Sequence, residues 1–168
     1  SLVSFDFRDK HYTQELKDGA FKMTRSWQVD SLGRVEDILT NEGFERYVNG
    51  ERQKVADSMA LKYSNSINSV HYFAFLPFRL NDQAVIKKDL GIETIRGISY
   101  YKIKVSFTQE GGGEDHEDIF IYWINSENYF IDYLAYSYLT EGGGLRFRKA
   151  YNPREINGLR VVDYINYK

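Results

Sequence analysis

Apolar and polar residues alternate along most of this chain, starting at its second residue. Val3, Phe5 and Phe7 alternate with Ser4, Asp6 and Arg8, the period-two pattern of a strand with one wet face. After the turn dipeptide Asp18-Gly19, Phe21, Met23, Trp27 and Val29 repeat the pattern, so the two runs predict a first hairpin. Ser31-Leu32-Gly33, Asn41-Glu42-Gly43 and Asn49-Gly50 punctuate further short runs at the spacing of a meander. The period then changes. Val55, Met59, Tyr63 and Ile67 fall four apart with Ala56 and Ala60 beside them, which predicts an amphipathic helix from residue 52 to about 66. Pro77 is placed to end this helical block. Asp82 is placed to cap a second, short helix through Leu90, with Gly91 just past its last turn.

From Ile92 onward the strand pattern returns. Tyr101, Ile103, Val105 and Phe107 oppose Lys102, Lys104 and Ser106; residues 119–124 are apolar on both faces, and large residues recur from 129 to 139. Residues 125–128 and 142–144 supply turns, and Asn157-Gly158 is the strongest hairpin signal in the chain. Strands before and after one helical block predict the α+β class. The expected architecture is a large curved antiparallel sheet, an open half-barrel, with mid-chain helices packed on its concave face. A parallel doubly wound fold is disfavoured.

Composition narrows the function classes. At 168 residues the chain fits one domain, residues 1–168, and 14 Tyr and 11 Phe suit pleated, half-buried strands. A net charge of −2 gives no basic field for nucleic acid. The absence of cysteine removes disulfides, thiolate metal sites and a cysteine nucleophile. No stretch approaches the roughly 20 apolar residues that span a bilayer as a helix. The chain begins at Ser1 inside a strand pattern, so the expectation is that upstream sequence, with a signal peptide or lipid-carrying cysteine, has been removed.

Several long strings carry a resemblance. His71–Pro77, Glu110–Asp118, Tyr122–Asn125, Asp132–Tyr136 and Gly142–Pro153 resemble an uncharacterised family of envelope lipoproteins from flavobacteria and their relatives. More distantly, the order of elements and the hairpin at residues 122–134 are similar to the periplasmic lipoprotein carriers and outer-membrane lipoprotein-sorting proteins. Those proteins bind acyl chains between an open half-barrel and a helical lid. The resemblance implies a periplasmic or outer-membrane-associated location and an apolar ligand. Residues 70–78 are bulkier than a simple lid requires, which leaves open a cavity filled by its own side chains.

Three constellations stand out. The first is an apolar face of Phe5, Phe7, Phe21, Trp27, Tyr101, Ile103, Tyr122, Tyr133 and Tyr136, closed by Met59, Tyr63 and Phe73. It either holds an acyl chain, at about 0.8 kcal/mol per buried CH₂, or simply packs against itself. The second is an acidic run with Glu110, Glu114, Asp115, His116 and Asp118, in a spacing that fits no standard metal loop; a solvated hairpin tip is the plainer reading. The third is Arg146 and Arg148, two apart on a strand, which either grip an anionic headgroup or pair with Glu110, Glu141 or Asp118. Glu110, His116, Glu141, Arg146 and Arg148 would form the polar rim of a pocket between the two Glu-Gly-Gly-Gly turns. Neither Gly-rich string is followed by a helix that could face a phosphate, so no nucleotide cofactor is implied, and no cofactor of any kind is expected.

The leading expectation is a monomeric, non-enzymatic cell-envelope protein that takes a lipid or other apolar small molecule. One alternative is a metal-dependent or hydrolytic protein centred on His116. Another is an interaction module for other envelope proteins.

Overall fold

Lys17 pairs with Ala20 across Asp18-Gly19, and Val48 pairs with Glu51 across Asn49-Gly50, the two-residue loops whose twist suits adjoining strands. Such short connections force each strand to lie beside its sequence neighbour. The computed structural model describes residues 2–108, 118–138, 143–156 and 158–167. The chain divides into two units, Ser1–Ala74 and Phe75–Lys168, each built on one six-stranded antiparallel sheet.

The first unit runs β1 (Leu2–Phe7), β2 (Lys10–Lys17), β3 (Ala20–Val29), β4 (Gly33–Thr40), β5 (Gly43–Val48) and β6 (Glu51–Gln53), in that spatial order, followed by α1 (Asp57–Ala74). Register puts Phe5, Tyr12, Arg25, Asp37 and Arg46 in one row across β1–β5, with Gln14, Met23, Leu39 and Phe44 in the next. That face is the inner one: Tyr12, Met23 and Val35 are buried, while the opposite face carries Ser4, Glu15, Lys22 and Glu36. α1 packs on the inner face. Tyr63 meets Phe44 with ring centroids 5.7 Å apart, and His71 meets Phe5 and Tyr12 edge-on at 5.5 and 5.8 Å. Ile67 and His71, four apart on one stripe of the helix, are fully buried.

The second unit opens with a single 3₁₀ turn, Phe78–Asn81, and continues with β7 (Val85–Ile95), β8 (Ile98–Phe107), β9 (Ile119–Asn125), β10 (Ile131–Tyr138), β11 (Gly144–Ile156) and β12 (Leu159–Tyr167). The strands again lie in chain order. One face carries Ile103, Val105, Phe120, Tyr122, Leu134 and Tyr136, of which Val105, Tyr122 and Leu134 are wholly buried.

The predicted class and the antiparallel sheet-plus-helix organisation are present, with hydrogen bonding divided between two sheets that do not close into a barrel. Three local expectations are corrected. The helix begins at Asp57 and runs on to Ala74, because residues 51–53 pair with β5 as β6. The first hairpin is β1 with β2, and Asp18-Gly19 joins β2 to β3; the mostly polar β2 hides its inward Tyr12 and Gln14. The expected helix over residues 82–90 is absent. Residues 85–95 form β7 instead, and Gly91, at φ +85°, sits where the pairing slips between Asp89 and Ile92. A left-handed glycine serves a strand bulge as well as a helix end.

A candidate ligand groove and a buried charge cluster

Strand β10 alternates by size as well as polarity. Leu134, Tyr136 and Tyr138 point to one side, whereas Ala135 and Ser137 point to the other, so that side of the strand is low. Ile121, Ala135, Phe147 and Tyr167 stand in one cross-strand row, and Ile119, Ser137 and Leu145 in the next. Small residues on the central strand between large ones on β9 and β11 leave a trough. Its volume is about 340 Å³, and Tyr136 and Arg146 complete its lining. That is the lower end of the range for small-molecule sites. Leu145 remains 78% exposed at its edge.

An aromatic cluster continues this face. Phe147 lies 5.8 Å from Trp123, 5.9 Å from Tyr133 and 5.7 Å from Tyr167, centroid to centroid. Beyond it, Glu93 accepts hydrogen bonds from Lys102 Nζ at 2.8 Å and Trp123 Nε1 at 3.0 Å, and these donors hold its carboxyl below the usual range.

The residues singled out from the sequence fall as follows. Phe5, Phe7, Phe21 and Trp27 share the inner face of the first sheet, with Tyr63 of α1 opposite Phe44. Met59 is 38% exposed, and Phe73 packs edge-on against Tyr72. In the second sheet Ile103, Tyr122 and Tyr136 share a face with Tyr101, whose ring stacks on Tyr129 at 6.3 Å. Tyr133 lies on the other face, because positions three apart on a strand point oppositely. Arg146 and Arg148 do share a face. Arg148 donates to the Tyr136 hydroxyl at 2.9 Å, and Arg146 lies 5.0 Å from the Tyr138 ring centre. Glu110, Glu114, Asp115, His116 and Glu141 lie outside the described residues; Asp118 is buried just before β9.

The sequence reading passed over a charge cluster in the first unit. Asp37, with no exposed surface, accepts hydrogen bonds from Arg25 Nε at 2.7 Å and from Arg46 Nε and Nη2 at 2.6 and 2.9 Å. Arg25 Nη1 also donates to Ser66 Oγ of α1 at 2.9 Å. The Arg46 guanidinium lies 3.9 Å from the Tyr63 ring centre, and both guanidiniums lie 5.6 Å from Trp27. Asp37 pushes the Arg46 guanidinium above its ordinary value, and burial does the same to the Tyr12 phenol. A signal was present in the sequence. Arg25 is in phase with Met23 and Trp27, Asp37 with Val35 and Leu39, and Arg46 with Phe44 and Val48, so three successive strands each place a charge at an apolar position.

The Mycobacterium tuberculosis lipoprotein LppX, a solved structure, is similar to this chain at a TM-score of 0.32 and 10% sequence identity, covering 87% of this chain and 80% of that one. No curated protein matches. No helix among the described residues is long and apolar enough to cross a membrane. Over residues 2–168, the chain belongs to a family of unknown function, DUF6503.

Proposed function

We propose that the protein is a non-enzymatic, ligand-binding protein of the cell envelope that holds the apolar tail of a lipid or similar amphiphile in the β9–β12 groove. The observation that carries this reading is the trough over Ala135 and Ser137, walled by Ile119, Ile121, Leu145 and Phe147. Each methylene moved from water onto these walls contributes about 0.8 kcal/mol, so affinity follows from chain length without a specific polar contact. The envelope location rests on the sequence resemblance to envelope lipoproteins.

Titration with a fluorescent fatty acid tests the reading. Saturable uptake is expected for the native protein. Ala135→Trp, which fills the floor, should weaken uptake by about tenfold or more, the equivalent of losing two methylene contacts. Uptake unchanged in Ala135→Trp would sink the proposal.

A further inference from the structure

Among the described residues, the Arg25–Asp37–Arg46 cluster is one negative charge short. Two guanidiniums share one carboxylate, and Asp37 is the acidic partner of both. The Arg25 side chain is 7% exposed and the Arg46 side chain 19%, so the surplus positive charge is held largely away from water. An internal pair normally balances, because an unmatched buried ion is expensive. The bonds to Asp37 and Ser66 use two of the N–H groups of Arg25, on Nε and Nη1, and two of Arg46, on Nε and Nη2, and the Tyr12 and Tyr63 hydroxyls also lie against Arg25 and Arg46. The remaining edges are flat forks of the kind that match a tetrahedral or planar oxyanion. The Arg46 guanidinium lies 3.9 Å from the Tyr63 ring centre, and Arg25 lies 5.6 Å from both Tyr63 and Trp27, so aromatic faces flank both forks. The Arg46 side chain keeps 19% of its surface exposed, the side from which an ion would reach the cluster.

A second unmet group lies beside the cluster. Gln14, 5% exposed, has a buried Oε1 without a hydrogen-bond partner. It stands opposite Met23, which makes it the diagonal neighbour of Arg25, about 7 Å away along the sheet and within reach of long side chains. A buried acceptor beside a cationic fork suits a ligand that brings negative oxygens and one O–H. Phosphate at neutral pH has both; a simple carboxylate has only the first.

We infer that the inner face of the first sheet carries a binding site for a phosphate group, held by Arg25 and Arg46 with Gln14 accepting its O–H. The site shares no residue with the groove in the second unit, so either one can fail without the other. A charge cluster that served stability alone would bind no anion.

The test follows the Nε–Hε NMR signals of Arg25 and Arg46 in the native protein at constant ionic strength. Inorganic phosphate should shift both signals saturably, with half-saturation at about 1 mM or below, while chloride does not. Gln14→Leu should weaken phosphate by about tenfold and leave butyrate unaffected. Asp37→Asn removes the internal competitor and should tighten phosphate; if that variant does not fold, the native titration still decides. A short-chain phosphatidic acid binding well above phosphate identifies a lipid headgroup as the source, whereas equal binding identifies a free phosphate or small phosphate monoester. Arginine signals that do not saturate with phosphate, or a Gln14→Leu protein that binds phosphate as the native one does, would overturn the inference.

Discussion

Tyr100 shows how one buried side chain sets a pH limit. Its hydroxyl donates to Asp132 at 3.3 Å, and burial, then the Asp132 charge, push the phenol up to about 12 from an ordinary value of 10. Between those values the unfolded chain has lost the proton and the folded chain has kept it, so stability falls as pH rises through the window. Tyr100→Phe should flatten the alkaline limb of a thermal-stability profile, with little change below pH 10. Asp163 works at the other end of the scale. Arg154 and Asn152 donate to its carboxylate and hold it below the usual range, so its contribution is present above the ordinary carboxylate value and disappears as pH falls through the lowered one. The pair is partly exposed, which keeps the effect small and salt-sensitive. Asp163→Asn should therefore leave stability at neutral pH within about 1 kcal/mol of native, as measured by urea unfolding.

At the level of elements, the turn from β3 to β4 is tightly constrained. Asn49 Oδ1 accepts from the Arg34 amide at 2.9 Å, and Asn49 Nδ2 donates to the Leu32 carbonyl at 2.9 Å, clamping the loop that holds Gly33. Gly33 has φ +86°, and a Cβ there would collide with the Asn49 amide. Gly33→Ala should cost about 1–3 kcal/mol in urea unfolding. This turn was readable from Ser31-Leu32-Gly33 and its neighbours from Asp18-Gly19 and Asn49-Gly50, as were the alternating strands and the helical stripe of Tyr63 and Ile67. Other elements were not. β2 reads as polar because its inward positions include Gln14, and β7 reads as a capped helix because Asp82 and Gly91 sit at helix-like spacing. The groove was hidden for another reason: it depends on which neighbours flank Ala135 and Ser137, and register is a property of strand pairs that no single strand displays. The charge cluster was legible in phase, but its neutralisation depends on Arg25, Asp37 and Arg46 standing in one cross-strand row, which again only strand pairing displays.

For the whole molecule, sequential pairing within each sheet keeps contacts short in sequence for a β-rich chain, which favours quick formation of each meander. It also leaves two edge strands per sheet. Hydrogen exchange should be slowest in β3 and β4 of the first unit and in β9 and β10 of the second. Exchange at the edges β1, β6, β7 and β12 should be at least about tenfold faster, and uniform protection across a sheet would contradict that order. On the β7 edge Lys87 and Lys88 supply charge that opposes pairing with another chain, while Ile86, Leu90 and Ile92 of the same strand are exposed. The low floor over Ala135 and Ser137 extends beyond a single chain. If its capacity is set by those two side chains, each relative declares its appetite at two codons. Relatives with bulky residues at both positions should come out of their hosts empty, and those with small ones loaded, a sorting that sequencing and extraction together can carry out.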